Sequence, residues 1–415
     1  MKWRKDISNV IHGQFNIPGG KLSPSINIHK NDFVCVSTID TFSHGCIEDF
    51  VIVSGSDHQV QLVLNSAYTT NLPETVNLEI IPQCLKYRRM ITAVRNLAQS
   101  TEDIRSLFLT RELHSFVKQS RTKRPYMSSF TLDPSQRKAL DKAIQSSITI
   151  IDGQSGTGKT YCAAAIAEQF YLENSQHKPL LNLLLCSPTE QPINDAEVIL
   201  SRVPSVRVVR VYDREVEAES FPEMAAVYNV HPRSSTAGSL LQKTALHFKI
   251  RSNSNPFNKA IQKYSQQLRN VLQQNTATVV DKLPLCKVIE EYKKMIDMAE
   301  EYELTENGVN IILCTCVGAG SLRIRNHARI KQCIIDESHH CLEAESLIAL
   351  QAMSSHGDRV VLLGDSRMEN VPVVENKLSR SFGLNKSLFH SLRNAKGKKK
   401  LPQLVLEVQH RMLGL

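Results

Sequence analysis

The sequence predicts an α/β protein whose amino-terminal part is a separate, β-rich domain. Short β-branched stretches separated by glycine and proline fill residues 1–83, whereas strand-like and helix-like stretches alternate from Thr131 onwards. Such alternation is typical of a parallel sheet covered by helices. A glycine-rich loop that begins at Gly153 joins one of the strands to an alanine-rich helix. These three observations together indicate the fold class.

Length and composition are those of an ordinary globular protein. The chain has 415 residues, of which 41% are hydrophobic and 22% are charged, so it can hold two or three domains with separate cores. No apolar run reaches the roughly 18 residues that a membrane span needs, and the first residues lack the apolar core of a signal peptide. The net charge of +9 favours a polyanionic partner. We expect no membrane association.

The ten cysteines are scattered and include no Cys-x-x-Cys pair, so we expect no zinc site. Four of them lie in core-like runs: Cys162, Cys186, Cys314 and Cys316. Buried thiols of this kind are typical of a reducing compartment. We therefore expect a cytoplasmic protein. The basic run from Lys396 to Lys400 could add nuclear import, contact a nucleic-acid backbone or only solubilise a surface loop.

Residues 1–83 are expected to form a small β-barrel. Four stretches in this part alternate or are rich in β-branched residues, and they begin at Phe33, Asp49, Val60 and Thr75. Glycine and proline separate them as turn signals. Short strands at this spacing predict a barrel.

The pattern becomes helical in residues 84–130, which we expect to connect the two parts of the chain. One helix is predicted from Leu85 and a second from Thr101, with Thr101 to Asp103 as its cap. The basic, proline-containing stretch from Arg121 predicts a hinge at a domain boundary. Its charge is explained by a solvated linker or by a nucleic-acid contact.

A phosphate-binding loop is predicted between the strand SITIID and the helix YCAAAIAEQF. The loop has the pattern glycine, four residues, then Gly-Lys-Thr, and these residues are expected to hold a nucleoside triphosphate: Gly153, Gln154, Ser155, Gly156, Thr157, Gly158, Lys159 and Thr160. Backbone amides of such a loop point at the β-phosphate, and the following helix N-terminus adds positive potential. Lys159 should bridge the β- and γ-phosphates, and the Thr160 hydroxyl should bind Mg²⁺. A glycine-rich turn without a ligand is the alternative.

The stretch KQCIIDESHH supplies the second part of the expected site. A short apolar strand ends there in Asp336 and Glu337, at the place where an enzyme with such a loop puts the acid that holds Mg²⁺. We expect Asp336 to hold the metal through water, and Glu337 to orient or deprotonate the attacking water. Two adjacent carboxylates could also be a solvated strand end, but the loop upstream favours the metal site.

Six strands are expected in the parallel sheet, in the stretches ITIID, LLNLLLCSP, VRVVRVY, VNIILCTC, QCIID and RVVLLGD. A helical insertion at residues 211–308 divides this domain into residues 131–210 and 309–415. Two amphipathic helices are predicted in the insertion, because apolar residues recur at helical spacing from Phe257 to Leu272 and from Leu285 to Ala299. Their charged faces could be solvated or could grip nucleic acid.

From Thr131 to Arg411 the chain resembles the first motor domain of a superfamily 1 helicase, in the subgroup of the nonsense-mediated-decay RNA helicase. Seven blocks besides the phosphate loop carry the resemblance in their usual order: LDPSQRKAL, CSPTEQPIND, CTCVGAG, DESHHCLEAESLIAL, VVLLGDSRMENVPVV, KSLFHSL and LEVQHRM. The resemblance implies a RecA-like P-loop NTPase fold. It also implies that the barrel and the helical insertion are accessory domains of the motor.

The resemblance further implies an ATP- and Mg²⁺-dependent helicase that acts on single-stranded nucleic acid, with RNA favoured over DNA. Gln136 stands where the family reads the adenine edge, and His410 stands where a tyrosine stacks on adenine. Contacts to the strand carry over to Ser187, Pro188, Thr189, Thr315 and Gly318. Lys159, Glu337 and Arg411 would be catalytic, with Arg411 stabilising charge on the γ-phosphate. Protein partners could bind the barrel or the insertion.

Three departures from the family leave the activity open. His340 and Met368 stand where the family has glutamines that orient water near the γ-phosphate. Neutral histidine can donate and accept a hydrogen bond as glutamine does, but methionine cannot donate one. The sequence also stops at Leu415, before the family's second motor domain. An ATP-binding scaffold without helicase activity, and a piece of a longer active helicase, are therefore the alternatives.

Overall fold

The chain divides into two compact units, Met1–Arg88 and Arg89–Leu415. The structure is a computed structural model, and the residues it describes are 2–5, 11–17, 33–37, 42–54, 57–64, 77–81, 84–109, 128–176, 180–228, 230, 232, 241–273, 282–355, 357–368, 381, 385–394 and 403–411. The expected hinge at Arg121 and the basic run from Lys396 to Lys400 lie outside these residues.

The first unit is built around an antiparallel sheet of six strands. They are β1 (Lys2–Lys5), β2 (Ile11–Ile17), β3 (Phe33–Ser37), β4 (Phe42–Ser54), β5 (Asp57–Leu64) and β6 (Asn77–Ile81). The order is β1-β2-β5-β4-β3-β6, and each neighbouring pair is antiparallel. The β4–β5 pairing shifts register twice, as at bulges that bend a sheet. Closure into a barrel stays a prediction, because β1 and β6 end this order among the described strands.

The sequence predicted four of these strands and missed β1 and β2. β1 is KWRK, which is mostly charged, and β2 is IHGQFNI, which contains a glycine. Neither has the β-branched run that marks a strand in a sequence. Strand β2 is instead held by its neighbour, because it pairs with β5 along its whole length.

Two helices follow the sheet: α1 (Cys84–Arg95) and α2 (Glu102–Leu109). The Ile104 amide donates to Thr101 Oγ1 at 3.5 Å, so Thr101 caps α2 as the sequence predicted, through a long hydrogen bond. The remainder of the expected second helix, from residue 110 to 120, lies outside the described residues. The role of this segment as a connector stays a prediction.

The second unit contains a parallel sheet of seven strands. They are β7 (Ile148–Gly153), β8 (Asn182–Ser187), β9 (Val208–Arg210), β10 (Ile311–Thr315), β11 (Ile330–Ile335), β12 (Arg359–Gly364) and β13 (Gln403–Leu406). Their order is β13-β7-β12-β11-β8-β10-β9, and every pairing is parallel. The predicted α/β fold is thereby confirmed. The six expected strands are present, and β13 is the strand that the sequence did not reveal.

Twelve described helices accompany this sheet. They are α3 (Pro134–Gln145), α4 (Lys159–Asn174), α5 (Glu190–Leu200), α6 (Arg214–Ser220), α7 (Glu223–Tyr228), α8 (Leu241–Thr244), α9 (Leu246–Lys249), α10 (Asn258–Gln273), α11 (Lys282–Glu301), α12 (Leu322–His327), α13 (Glu343–Gln351) and α14 (Leu388–Arg393). None of the described helices is long and apolar enough to cross a membrane.

Helices cover both faces of the seven-stranded sheet, so alternate residues of a strand enter different cores. In β8, Leu183 and Leu185 pack with the core of α3, α4 and α5. Leu184 and Cys186 of the same strand pack with the core on the opposite face. Strands buried on both faces are continuous apolar runs in the sequence, which is why most of them could be predicted.

Helices α6 to α11 lie between β9 and β10, in the region where the sequence predicted an insertion. Helices α10 and α11 pack against each other. The residues that recur at helical spacing supply the contact, including the buried Ile261 and Leu268 of α10 and the buried Tyr292 and Ile296 of α11. The exact bounds of the insertion as a domain stay a prediction.

A buried cluster of charges joins α6, α11 and α12. The Arg214 guanidinium donates to Glu217 at 2.6 Å and to Glu300 at 2.8 and 3.0 Å. Arg323 donates to Glu217, and it also donates to Glu300 at 3.2 Å. Burial opposes the ionisation of Glu217, but the charges of Arg214 and Arg323 outweigh it and lower the pKa of Glu217 to about 2. The cluster therefore remains charged at neutral pH.

Candidate nucleotide-binding site

The predicted phosphate loop connects the end of β7 to the first residue of α4. Gly156 and Gly158 have φ angles of 89° and 76°, in the left-handed region that glycine adopts without strain. A Cβ atom on Gly158 would lie 2.6 Å from Gln136 Nε2. A Cβ atom on Gly156 would overlap the Gln409 side-chain amide. Backbone conformation and space therefore both favour glycine at these two positions. They leave the loop backbone open to a close ligand, as phosphate binding demands.

Lys159 is buried at the mouth of this loop. Its Nζ atom donates to the Gly153 carbonyl at 3.1 Å and to the Gln154 carbonyl at 3.4 Å. It also lies 3.5 Å from Glu337 Oε1. The ammonium group is therefore held against the loop, in reach of anionic oxygens that would enter it.

Thr160 and Asp336, the two predicted Mg²⁺ ligands, are in direct contact. Thr160 Oγ1 donates to Asp336 Oδ2 at 2.6 Å, and the Glu337 amide donates to Asp336 Oδ1 at 2.9 Å. Burial, together with the nearby Glu337 charge, raises the pKa of Asp336 to about 6 despite these hydrogen bonds. A hydroxyl and a carboxylate are oxygen donors of the kind that Mg²⁺ prefers. The residues present therefore fit a magnesium ion beside the loop.

Glu337 follows Asp336 in a left-handed backbone conformation, with φ of 51° and ψ of 34°. Such a conformation costs a non-glycine residue on the order of 1–3 kcal/mol, and it is most common at functional sites. It aims the Glu337 carboxylate between Lys159 and His339, whose Nε2 lies 3.3 Å from Glu337 Oε2. Burial lowers the pKa of His339 to about 3, so its imidazole is neutral at physiological pH.

Gln136 and His410, the predicted adenine contacts, meet on one side of the loop. Gln136 Nε2 donates to the Thr157 carbonyl at 3.2 Å and lies 3.4 Å from His410 Nε2. His410 Nε2 is also 2.9 Å from Asp133 Oδ2. Asp133 and Gln136 form the capping box of α3. The helix start therefore holds Gln136 beside the loop while His410 remains half exposed.

The predicted strand contacts lie at the carboxyl ends of two neighbouring strands. Ser187 ends β8 and Thr315 ends β10, and the two residues are register partners. The Gly318 amide donates to Thr315 Oγ1 at 2.9 Å, which folds the loop after β10 back onto its strand. Thr189 is exposed and Pro188 is half-buried, whereas Ser187 is fully buried. The Ser187 side chain is therefore the least accessible of the set.

A comparison with known families decides the kind of domain that carries this site. A family model described as an AAA domain matches residues 131–367, more than half of the chain. The chain belongs to this family. The matched residues include the phosphate loop, the Asp336–Glu337 pair and both predicted strand-contact loops.

Curated proteins similar to this chain are named as helicases, as regulators of nonsense transcripts or as an exoribonuclease. The chain is 26% identical over 409 residues to the 3′-5′ exoribonuclease HELZ2 of Homo sapiens, covering 90% of this chain and 13% of that protein. It is 29% identical over 281 residues to the Regulator of nonsense transcripts 1 homolog of Arabidopsis thaliana, covering 68% and 19%. It is 25% identical over 323 residues to the ATP-dependent helicase upf1 of Schizosaccharomyces pombe, covering 76% and 31%.

The family match and these relatives identify a superfamily 1 helicase domain of the nonsense-mediated-decay type. The chain therefore belongs to an enzyme family of ATPases and helicases. It spans less than a third of the length of each relative named above.

Residues after β13 also contact the loop, through an interaction that the sequence did not predict. The Gln409 side chain donates from Nε2 to the Ser155 carbonyl at 2.8 Å, and the His410 amide donates to the Gly156 carbonyl at 2.9 Å. The Arg411 amide donates to Gln409 Oε1 at 3.2 Å. The contact arises because β13 pairs with β7, the strand that leads into the loop. No feature of an isolated glutamine marks it as a loop contact in the sequence.

The two residues that stand in place of family glutamines, His340 and Met368, have different surroundings. His340 is in the turn after Asp336, with its ring centroid 4.0 Å from that of His339. Met368 is exposed. Its neighbour Arg367 instead reaches the loop, where both terminal nitrogens of its guanidinium donate to the Gln154 side-chain oxygen when that amide is oriented to accept. Arg367 is a second loop contact that the sequence did not single out.

Proposed function

We propose that the chain binds ATP with Mg²⁺ at the phosphate loop, hydrolyses it, and couples hydrolysis to movement along single-stranded nucleic acid as the first motor domain of a superfamily 1 helicase. The observation that carries this proposal is the convergence of Lys159, Thr160, Asp336 and Glu337 at one loop mouth. These four side chains supply a cation, a metal-binding hydroxyl and carboxylate, and a base. That combination is the one that phosphoryl transfer requires.

Each of these side chains has a defined task in the proposal. Lys159 exchanges its bonds to loop carbonyls for bonds to phosphate oxygens. Thr160 and Asp336 hold Mg²⁺, which neutralises charge on the β- and γ-phosphates. Glu337 accepts a proton from the attacking water or orients it, a contribution of roughly 10²- to 10⁴-fold in rate. Arg411 adds positive charge at the γ-phosphate. Among the described residues, no contact joins its guanidinium to the Lys159 or Glu337 side chain.

Nucleic-acid binding in the proposal uses the loops that follow β8 and β10. Ser187 and Thr315 end neighbouring, parallel strands, so the loop that carries Thr189 and the loop after Thr315 open at the same edge of the sheet. The net charge of +9 favours attraction to a phosphate backbone. RNA is favoured over DNA by the names of relatives, which refer to regulation of nonsense transcripts. We infer a cytoplasmic location from the buried thiols, with the nucleus as the alternative.

A second function, an ATP-binding scaffold without hydrolysis, has one observation in its favour. The exposed Met368 offers no amide where the family has a water-orienting glutamine. Nucleotide binding would survive this change because the loop, Lys159 and Thr160 are intact. A measurement of ATP hydrolysis distinguishes the two functions, because only the helicase hydrolyses ATP.

Nucleotide affinity tests the binding half of the proposal. Titration calorimetry with ATP and Mg²⁺ should show that Lys159→Ala binds at least tenfold more weakly than the wild type, a difference of about 1.4 kcal/mol. Lys287→Ala, at an exposed position of α11, is the control and should bind as the wild type does. Equal affinities for Lys159→Ala and the wild type would remove the loop from the proposal.

Hydrolysis in the presence of a single strand tests the other half. Glu337→Gln should retain ATP binding and lose at least about 100-fold in rate, because a neutral amide cannot accept the proton. The control is Glu290→Gln, at an exposed position of α11. A wild type that binds ATP but hydrolyses none with RNA or DNA present would favour the scaffold.

Strand affinity, measured by fluorescence anisotropy, tests the nucleic-acid partner. A uridine oligomer should bind more tightly than a thymidine oligomer, and the affinity for both should fall steeply as salt is raised. Thr315→Ala should weaken binding at every salt concentration, whereas Thr305→Ala, at the end of the insertion, should not. Equal strand affinities for Thr315→Ala and the wild type would exclude the β10 loop as a contact.

A further inference from the structure

The turn that follows β11 gathers one carboxylate and two imidazoles. Glu337, His339 and His340 each present a possible metal-ligating atom, and these three atoms all lie within 4.8 Å of one another. The left-handed conformation of Glu337 and the 3-10 turn Ser338–His340 produce this arrangement. Ser338 anchors the turn, because its hydroxyl donates to the Leu363 carbonyl at 2.7 Å.

His339 is buried, and one of its ring nitrogens lacks a hydrogen-bond partner in the part of the chain that the structure describes. Its Nδ1 atom has no hydrogen-bond partner among the described residues, and its Nε2 atom is 3.3 Å from Glu337 Oε2. A buried polar atom without a partner costs about 1–3 kcal/mol. An ion shared with Glu337 would bind the Nε2 atom, and the other ring nitrogen of a metal-ligating histidine ordinarily donates to an oxygen or a water.

The two oxygens of Glu337 face different groups. Oε1 lies 3.5 Å from Lys159 Nζ, on the side of the phosphate loop, while Oε2 faces the histidines. A tetrahedral zinc ion with bonds of about 2.1 Å separates its ligands by roughly 3.4 Å. The 3.3 Å between Glu337 Oε2 and His339 Nε2 matches this separation. The ligating atom of His340 lies within 4.8 Å of the other two, so its half-buried side chain would have to move toward them to complete the set.

We propose that Glu337, His339 and His340 form a binding site for a divalent transition-metal ion such as Zn²⁺. Two imidazole nitrogens and one carboxylate oxygen are ligands that zinc accepts, with a fourth position open to water. Mg²⁺ prefers oxygen ligands and is not expected here. Thr160 and Asp336 are not among its ligands. The expectation of no zinc site rested on the cysteine spacing, which says nothing about histidine ligands.

Occupancy of this site competes with the proposed task of Glu337. A carboxylate that ligates a transition metal is a weaker base toward the attacking water. Zn²⁺ should therefore slow hydrolysis and leave ATP·Mg²⁺ binding intact; this consequence rests on the proposed function. Binding of the metal itself does not, because it involves no nucleotide.

The test is a titration of the whole, nucleotide-free chain with Zn²⁺ against a competing chelator. His340→Gln, which places the family's residue at this position, should weaken zinc binding at least tenfold, and Glu337→Gln should do the same. His327→Gln is the matched control, because His327 also contacts a carboxylate, Asp297, at 2.8 Å. ATP·Mg²⁺ binding and thermal melting check that each variant is folded.

Cobalt provides a second readout, because its absorption reports ligand type. The wild type should show visible bands of four-coordinate Co²⁺ with nitrogen and oxygen ligands, and His340→Gln should lose them. Unchanged zinc affinity in both His340→Gln and Glu337→Gln would overturn the site, as would a thiolate-to-cobalt band in place of the expected spectrum. A zinc-binding wild type that hydrolyses no ATP would leave the metal site standing and refute only the proposed hydrolysis.

Discussion

Asp336→Asn should separate the stability of the metal-free protein from its capacity to bind Mg²⁺. Burial is the main cause that raises the pKa of Asp336 from 3.8 to about 6. A difference of roughly two pKa units means that the ionised carboxylate costs the folded protein about 3 kcal/mol at neutral pH. The asparagine carries no charge, and its Oδ1 can still accept from the Glu337 amide, but its Nδ2 replaces the oxygen that accepts from the Thr160 hydroxyl, a loss worth about 1 kcal/mol. The expected net effect is a gain of about 2 kcal/mol in the free energy of unfolding.

The sign of this effect depends on pH. Because the folded pKa of Asp336 lies above its unfolded value, the folded wild type holds its proton more tightly, and its stability falls as pH rises from 3.8 to about 6. The advantage of Asp336→Asn should therefore be largest above pH 6 and absent near pH 4. At the lower pH only the lost hydrogen bond remains, so the variant should be slightly less stable there.

Urea unfolding followed by far-ultraviolet circular dichroism measures the effect, without metal and with ATP·Mg²⁺. Ligand at about 100 times its dissociation constant should stabilise the wild type by about 2.7 kcal/mol, and Asp336→Asn should gain less because it lacks the carboxylate ligand. Asp141→Asn, an exposed position on α3, is the control. A destabilising charge on Asp336 is refuted if Asp336→Asn is no more stable than the wild type in metal-free buffer above pH 7, or if its advantage is the same at pH 4.

Three further outcomes follow from the contacts described. Gly158→Ala should lower ATP affinity and cost about 1–2 kcal/mol of stability, since φ is 76° and the new Cβ would meet Gln136 Nε2. Calorimetry measures the affinity and urea unfolding measures the stability, and wild-type values of the two would contradict the loop geometry. His410→Ala should weaken ATP about fivefold, or about 1 kcal/mol, without changing affinity for inorganic triphosphate; equal losses for both would show that the ring does not contact the base. Glu217→Gln should destabilise the chain by about 3 kcal/mol, because Arg323 loses its buried partner. The folded pKa of Glu217, about 2, lies below its unfolded value of 4.5, so the difference in stability between Glu217→Gln and the wild type should be present above pH 4.5 and shrink as pH falls below 4.5. A stability difference that does not change with pH in acid would contradict this expectation.

The sheet could be predicted because its strands are buried on both faces and are therefore apolar along their whole length. Strand β13 could not, because it is short and mostly exposed. It forms by pairing with β7, and a pairing between residues so distant in the chain produces no periodic pattern of apolar residues in the sequence. The strands β1 and β2 were missed for a similar reason, since their neighbours stabilise residues that are not strand formers by themselves.

The phosphate loop and the acidic pair could be predicted because their chemistry dictates residue type at fixed spacing. Gly158 needs a left-handed backbone, and Lys159 and Thr160 need to follow it at the helix start. The Gln409 and Arg367 contacts could not be predicted, since they depend on which strands lie beside β7. The imidazole pair does not stand out as a ligand set in the sequence either, because two adjacent histidines match no metal-binding spacing. Only the turn in the structure brings His339 and Glu337 beside His340.

The buried charge cluster has a mechanical consequence for the insertion. Arg323 lies on α12, directly after the loop that carries Thr315, while its partners Glu217 and Glu300 lie on α6 and α11. Separating a buried ion pair costs several kcal/mol, so a small displacement of α12 would move all three helices together. The loop after β10, which leads into α12, is thus coupled through the cluster to α6 and α11 of the insertion.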